Sequence, residues 1–182
     1  TGIQSIGLAQ KGFDVFASDI SKRMVTILLS KADERRLHIT TKVADFRTLK
    51  PWPMSFFDAV VCGGNSLTLL SNLLEVKLAL VSMRRVVKRP GGIVIIGLHN
   101  YLMLKQEGRS IILRRAEIKD KYIEVVLDIR LFGSQRVEVT HVFIRRKEEK
   151  WSIRTYSKSY ICMSAKELYN TMLETGYKRM QF

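Results

Sequence analysis

The stretch Phe13–Ile20, F-D-V-F-A-S-D-I, decides which fold the rest of the sequence predicts. Its four apolar residues lead to Asp19, as in a buried parallel strand that ends on an acid. The preceding residues 1–12, T-G-I-Q-S-I-G-L-A-Q-K-G, indicate a glycine turn and then a short helix that Gly12 ends. Turn, helix, strand and terminal acid form the second half of a nucleotide-binding β-α-β unit, in which the acid accepts hydrogen bonds from ribose hydroxyls.

Gly2 is the one glycine of that turn that the sequence contains. A complete unit has a strand before the turn and further glycines within it. We therefore expect a first strand and the earlier glycines to precede Thr1, and we expect the natural chain to be longer at its N-terminus.

Strands and helices alternate as far as Leu98. Ser21 is the expected N-cap of the helix after Asp19, and Pro90-Gly91-Gly92 ends a long helix that begins after Ser66. Strands are predicted over His38–Val43, Phe57–Cys62 and Ile93–Leu98. This alternation predicts an α/β fold, a Rossmann-like parallel sheet with helices on both faces.

The pattern then changes to four strands joined by short turns. They are predicted over Ile111–Ile118, Tyr122–Phe132, Arg136–Lys147 and Trp151–Met163, and Ser164 caps a closing helix that ends at Gly176. Apolar residues at 123, 125, 127, 129 and 131 alternate with more polar neighbours, which predicts an antiparallel sheet with one wet face. We expect a core over 1–101, an antiparallel β roof or lid over 102–163, and a closing helix with the start of a last core strand over 164–182.

The last of these strands has two different sides. Tyr156, Lys158 and Tyr160 lie on one side and offer donors to a substrate if they face the crevice; the alternative is a solvated sheet face. Ile153, Thr155 and Ile161 lie on the other side, which we expect to pack on the core.

Three strand ends are predicted to meet in one crevice, because the carboxyl ends of parallel strands share one edge of a sheet. Asp19 ends the second strand of the complete unit, Ala44-Asp45-Phe46 ends the third, and Gly63–Ser66 ends the fourth. A lone Asp after a strand is an ordinary loop carboxylate. The three ends together predict a nucleoside site, with an acid for ribose, an acid and an aromatic ring for adenine, and a small polar loop for the reacting centre.

These motifs resemble class I S-adenosylmethionine-dependent methyltransferases, most of all the glycine and sarcosine N-methyltransferase group. The resemblance spans residues 1–101 and is only general in the antiparallel insert. It rests on four stretches: residues 1–24, V-A-D-F at 43–46, F-D-A-V-V-C-G-G-N-S-L-T-L-L at 57–70, and R-P-G-G-I-V-I-I-G-L-H-N-Y at 89–101.

The resemblance implies a binding site for S-adenosylmethionine, with S-adenosylhomocysteine as the product. By this resemblance Gly2 holds the methionine part, Asp19 takes the ribose hydroxyls, Met24 packs near the adenine, and Asp45 contacts the adenine amino group beside Phe46. Gly64-Asn65-Ser66 lines the methionine end, where the methyl leaves, and Ile20 and Gly63 complete the expected cofactor set.

Two residues depart from that family. Leu69 stands where a histidine is usual, and His99 stands where glycine methylators have an arginine that grips a carboxylate. An imidazole cannot make the bidentate grip of a guanidinium, which puts glycine as the substrate in doubt. A sulfonium is already an activated methyl donor, so the protein mainly has to align the acceptor. The expected catalytic residues are Tyr101, His99 and Asn65; His99 and Tyr101 could assist deprotonation of an amine, or His99 could simply bond to backbone.

Composition limits the remaining partners. The 182 residues carry a net charge of +14, which raises nucleic acid as a partner, and the nearest basic patch is Arg145-Arg146-Lys147 with Lys150. Two alternatives stay open: an RNA-binding or RNA-methylating protein with this fold, and an NAD-dependent oxidoreductase. No metal is expected, because the three histidines share no ligand spacing. Cys62 and Cys162 are expected to be buried thiols in a reducing cytoplasm, and neither a signal nor a membrane-spanning run is visible.

Overall fold

The structure is a computed structural model that describes residues 2–108, 110–119 and 122–181. Its first half alternates helices and parallel strands, and its second half is an antiparallel sheet followed by a helix. The elements are α1 (Ile3–Gln10), β1 (Val15–Asp19), α2 (Lys22–Asp33), β2 (Ile39–Val43), β3 (Ala59–Cys62), a 3-10 turn (Ser66–Leu69), α3 (Leu73–Val86), β4 (Ile93–Ile96), α4 (Tyr101–Gln106), β5 (Ile111–Lys119), β6 (Tyr122–Phe132), β7 (Arg136–Lys147), β8 (Lys150–Ile161) and α5 (Ala165–Glu174).

Helix ends follow the signals in the sequence. Ser21 caps α2, since its hydroxyl accepts a hydrogen bond from the Met24 amide at 3.4 Å. Ser164 and Glu167 form a capping box at the start of α5, in which each side chain accepts from the other residue's backbone N–H. These local bonds fix where both helices begin. The short helix α4 was not expected from the sequence.

The parallel strands form two pairs. β1 pairs with β2, and β3 pairs with β4, both in parallel register. Within the described residues no strand lies between β1 and β3, so their inner edges face each other unpaired. The strand expected before Thr1 lies outside the described residues and stays a prediction. Aromatic rings connect the two pairs at one end: Phe16 on β1 lies 5.4 Å from Phe57 and 5.8 Å from Trp52 between ring centroids.

The largest hydrophobic core surrounds α3. Val76, Leu80 and Met83 are fully or almost fully buried on the inner side of this helix, and they pack with Leu67 of the 3-10 turn and Leu168 of α5. Leu73, at the first turn of the same helix, is exposed. The core therefore holds the ends of β3, α3 and α5 together beside the carboxyl ends of the parallel strands.

The antiparallel sheet has the order β5-β6-β7-β8. One expectation about its faces was wrong. Ile153 and Thr155, expected on the core, are exposed, and only Ile161 at the end of β8 joins the core. The polar positions of β6 are the buried ones, Glu124, Asp128 and Arg130. Ile129 between the last two and Leu131 after them are exposed.

Cations on the sheet itself make this inversion possible. The Glu124 carboxylate lies 2.5 Å from Arg145 Nε, and the Asp128 carboxylate lies 2.7 Å from His141 Nδ1 and 3.4 Å from Arg114 Nε. A β-bulge between Leu113 and Arg115 shifts the register of β5, so that the neighbouring arginines 114 and 115 both reach acids of β6. Paired charges can be covered at little cost, whereas unpaired ones cannot.

Candidate functional site

A cleft of about 580 Å³ runs along the unpaired edges of β1 and β3, from Phe16 and Phe57 to the carboxyl ends of both strands. Seven of the expected cofactor residues line it, and they come from four separate segments of the chain. These residues are Gly2, Asp19, Met24, Phe46, Gly63, Gly64 and Ser66. Asp19, Gly63 and Gly64 mark the end of the cleft that lies at the carboxyl ends of the two strands.

Asp19 ends β1 at the rim of this cleft. One of its carboxylate oxygens accepts a hydrogen bond from the Ser21 backbone N–H at 2.8 Å, which holds the side chain in place where the chain turns into α2. The turn also places Met24, in the first turn of α2, on the cleft wall. A carboxylate held in this way can accept further hydrogen bonds from a pair of hydroxyl groups.

Glycines let other groups approach closely on the opposite sides of the cleft. Gly2 has a φ of 73° at the start of α1, and a Cβ there would collide with the Leu28 side chain of α2. A Cβ on Gly63 would collide with the side-chain amide of Gln4, which crosses the cleft from α1 to the end of β3. Gln4 is a site residue that the motif analysis missed, because its position becomes meaningful only once α1 lies opposite β3.

Asn65 connects the ends of β3 and β4. Its side chain is buried; Oδ1 accepts from the His99 backbone N–H at 3.0 Å, and Nδ2 donates to Tyr101 Oη at 2.9 Å. The backbone N–H can only donate, so this pairing fixes the orientation of the amide. Asn65 has a φ of 68°, a conformation that asparagine tolerates better than most residues.

Gly97 completes the connection between the two strand ends. Its carbonyl accepts from the Asn65 N–H at 3.1 Å, and a Cβ there would lie 3.5 Å from the Gly63 Cα. That distance is an ordinary van der Waals contact, so the two loops lie directly against each other here. The sequence signal for Gly97 was its place in the G-L-H-N-Y run, but its role was not predicted.

Tyr101 is buried beside Asn65 at the start of α4. Its ring lies 5.6 Å from the Tyr160 ring and 5.9 Å from the His99 ring, between centroids. Burial, with a smaller contribution from Tyr160, raises the pKa of Tyr101 to about 12. The phenol is therefore protonated at neutral pH, and because Asn65 donates to its oxygen, the hydroxyl proton remains available for another acceptor.

His99 lies at the boundary between the cleft loops and the antiparallel sheet. Burial lowers its pKa below the ordinary value, and the positive charges of Arg114 and Arg130 act in the same direction, against a smaller opposing effect of Asp128. The imidazole is therefore neutral at pH 7 and can accept a proton. It also lies on a second groove of about 1,090 Å³ between β4 and α5.

The tyrosine side of β8 faces the site at one end. Tyr160 is buried against Tyr101, whereas Tyr156 is half-exposed and stacks on His141 and Phe143. Lys158, between them, is exposed. The polar face of the antiparallel sheet thus adjoins the strand ends through Tyr160, and its outer part is open to solvent.

Three of the expected cofactor residues do not line the cleft: the buried Asn65 described above, Ile20 and Asp45. Ile20 is largely exposed and does not line the cleft. Asp45 is bound to Arg47, whose Nη2 and Nε lie 2.6 Å and 2.9 Å from its carboxylate, and the side-chain bonds with Arg47 lower the pKa of Asp45. Arg47 also binds Glu75 on α3, so Asp45 secures its own loop while Phe46 beside it lines the cleft.

In the part of the chain that the structure describes, no three His, Cys, Asp or Glu side chains are grouped to hold a metal ion. Cys62 and Cys162 are free and buried, and burial raises the pKa of Cys62 to about 11, which keeps it a thiol. None of the described helices has both the length and the apolar character needed to cross a membrane.

Comparison with known sequences gives one family. A family model described as "Methyltransferase domain" matches residues 1–96. A glycine/sarcosine N-methyltransferase of Parasynechococcus marenigrum (strain WH8102) is 36% identical over 111 residues, which are 61% of this chain and 39% of that protein. A glycine N-methyltransferase of Mus musculus is 35% identical over 112 residues, 56% of this chain and 38% of that protein. The chain thus spans about two fifths of the length of these relatives.

Solved structures share the fold at low sequence identity. An S-adenosylmethionine-dependent methyltransferase from Clostridium acetobutylicum ATCC 824 superposes with a TM-score of 0.72 at 16% identity, covering 90% of this chain and 63% of that one. CalS10, an amino pentose methyltransferase from Micromonospora echinaspora solved with S-adenosylmethionine bound, gives 0.69 at 13% identity, covering 90% and 65%. Both cover the antiparallel sheet as well as the parallel strands, which confirms the predicted Rossmann-like fold with an antiparallel insert.

Proposed function

Because this chain belongs to the methyltransferase domain family, we propose that it transfers a methyl group from S-adenosylmethionine to an amine nitrogen of a small-molecule acceptor. The observation that carries the proposal is that Asp19 and the Gly63–Ser66 loop border the same cleft of about 580 Å³. The glycine/sarcosine and glycine N-methyltransferases named above support an amine as the acceptor.

The walls of the cleft at the carboxyl ends of β1 and β3 suit the cofactor in their chemistry. Asp19 would hold the ribose hydroxyls, and Met24 and Phe46 would contact the adenine. Gly64 leaves its backbone uncovered for the methionine part, whereas the space beside Gly2 and Gly63 is occupied by the Leu28 and Gln4 side chains. When bound, S-adenosylmethionine supplies a methyl group activated by its sulfonium.

The protein's own contribution is to hold and deprotonate the acceptor. Asn65 fixes the Gly64–Ser66 loop relative to Tyr101, which keeps the phenol oxygen at a defined place beside the methionine end. His99 is neutral at pH 7 and can take the proton that an ammonium must lose before its nitrogen attacks. Tyr101, with its raised pKa, orients the acceptor by hydrogen bonds rather than by acting as a base.

The acceptor side differs from that of an arginine-dependent glycine site. His99 presents a neutral ring where a guanidinium would grip a carboxylate, and Tyr160 adds a phenol ring next to Tyr101. These groups suit an amine whose other substituents are hydroxyl-bearing or neutral. Amino sugars therefore rank above glycine and sarcosine as acceptors.

The proposal includes the organisation and location of the protein. Residues 1–101 hold the cofactor, 102–163 form the acceptor side, and 164–182 close the core. Buried free thiols are typical of a reducing compartment, so we place the protein in the cytoplasm. The +14 charge leaves RNA as a second acceptor class to be tested.

An activity assay tests this function. The protein is incubated with S-adenosylmethionine and, in parallel, an amino sugar, glycine, sarcosine and a short RNA, and S-adenosylhomocysteine release is measured. We expect turnover with an amine and a decrease in rate of about 10²-fold in a His99→Asn variant, which keeps the backbone N–H bond to Asn65. Turnover with RNA alone would replace the small-molecule acceptor, and equal rates for both proteins would remove His99 from the chemistry.

A further inference from the structure

One face of the antiparallel sheet is apolar and uncovered. We call it the outer face. It consists of the odd-numbered side chains from 123 to 131 on β6 and of the residues that lie opposite them on β5, β7 and β8. Six of its large side chains are between 59% and 75% exposed: Ile111, Leu113, Ile118, Leu131, Trp151 and Ile153. Monomeric proteins rarely expose contiguous apolar patches of more than a few hundred Å², so this face is expected to have a partner.

Strand register makes the patch continuous. Ile111 lies opposite Ile129, Leu113 opposite Leu127, and Ile144 opposite Ile153. The bulge after Leu113 changes which positions of β5 face outward, from odd to even numbers, so that Ile118 pairs with Ile123 on the same side. Without the bulge Ile118 would point to the polar face.

The outer face is large enough for a stable contact. β7 and β8 have 12 residues each, which corresponds to a length of about 40 Å, and four strands span about 15 Å. The flat area is then about 600 Å², and projecting side chains increase the accessible area toward the ~800 Å² that each partner buries in a standard interface.

Its charge distinguishes it from the rest of the surface. Of the described side chains on the outer face, two are charged, Glu138 and Arg146, and their charges cancel. The chain as a whole carries +14, so two copies repel each other through most other orientations. An acidic partner would gain little on this face and would bind elsewhere.

We propose that the outer face is a symmetric interface between two copies of this chain. A twofold axis parallel to the sheet's plane, midway between the two copies, would place the two outer faces against each other as a sandwich about 10 Å apart, each covering the aliphatic side chains of the other. Contact through the edge strand is disfavoured, because β8 carries Lys150, Arg154 and Lys158 there. The opposite face, which adjoins Tyr101 and His99, stays open in this arrangement.

Sedimentation equilibrium of the intact protein tests the proposal. The chain is measured from about 1 to about 200 µM, alongside Ile118→Asp/Ile153→Asp, with Leu131→Asp as a second variant on another strand. All three side chains are exposed in the single chain, so the variants should fold, which circular dichroism checks. The control is Leu74→Asp, an equally exposed leucine on α3 away from the sheet.

We expect a dimer for the unmodified chain and for Leu74→Asp, and an increase of about 100-fold or more in the dissociation constant for the variants on the outer face, since each buries uncompensated charge. A monomer over the whole concentration range would overturn the proposal and leave this face to a different partner. A dimer that the variants leave intact, or that Leu74→Asp also dissociates, would place the interface elsewhere and overturn it too.

Discussion

Replacing Asn65 by alanine should loosen the contact between the ends of β3 and β4. The change removes two hydrogen bonds and leaves the Tyr101 oxygen and the His99 backbone N–H without this partner. The unsatisfied oxygen of the buried Tyr101 costs about 1–3 kcal/mol, whereas the N–H of the exposed His99 can bond to water. The positive φ at 65 adds about 1 kcal/mol of strain for alanine. We expect a loss of about 2–4 kcal/mol in the free energy of unfolding.

Urea denaturation followed by near-ultraviolet circular dichroism measures this loss. Asn65→Gly is the matched control, because glycine removes the same side chain but accepts the positive φ; it should be more stable than Asn65→Ala by about 1 kcal/mol. If Asn65→Ala loses less than about 0.5 kcal/mol, the amide does not hold the two loops together, and our account of the acceptor side fails. Equal stabilities of the two variants would refute the strain argument.

Three further outcomes are expected. Asp19→Ala should weaken S-adenosylmethionine binding more than 10-fold in calorimetry, since charge-assisted hydrogen bonds are worth about 1.5–3 kcal/mol. The control Asp58→Ala removes an exposed acid bound to Lys88 and should leave the affinity unchanged. An unchanged affinity for Asp19→Ala would remove Asp19 from the site. Because the pKa of His99 is lowered, its neutral form persists as the pH falls through the ordinary value of about 6.5. The acid limb of the kcat/KM profile should therefore lie below that pH and should vanish in His99→Asn. An acid limb above that pH would contradict the assignment of His99 as the base. Tyr101→Phe should lower the free energy of unfolding in urea by about 1–3 kcal/mol, because Asn65 Nδ2 loses its acceptor. Tyr160→Phe should lower it by less. The reverse order would be inconsistent with the hydrogen bond between Asn65 and Tyr101.

The sequence predicted those parts of the fold that depend on local signals. Ser21 and Ser164 mark helix starts by a hydroxyl that accepts from the backbone three residues later, and both caps formed as expected. The four antiparallel strands also appeared close to their predicted ranges, because short turns separate long β-branched runs. Such features depend only on residues that are close together in the sequence.

Sheet faces were harder to predict, because they depend on contacts between strands. Alternation in β6 suggested that the aliphatic side would be buried, but Glu124 and Asp128 are buried instead. Their partners Arg145 and His141 come from β7, and the bulge that brings Arg114 toward Asp128 is invisible in a single strand. Pairing of charges across strands thus overrode the simple rule that apolar sides face inward.

The candidate site was predictable at its strand ends and not between them. Asp19 and the Gly63–Ser66 loop came from motifs and lie on one cleft. Gln4 and Gly97 were missed, because their roles arise from the approach of α1 to β3 and of the β4 loop to Gly63. Asp45 followed the motif but is held by Arg47, a neighbour two residues away whose effect the motif did not include.

A crystal structure with S-adenosylhomocysteine tests the central claim most directly. Our account predicts density in the cleft between β1 and β3, with the ribose hydroxyls within hydrogen-bonding distance of the Asp19 carboxylate and the sulfur next to Gly64–Ser66. Density in the groove between β4 and α5 instead, or an unchanged fold with no ligand beside Asp19 at saturating concentration, would contradict it.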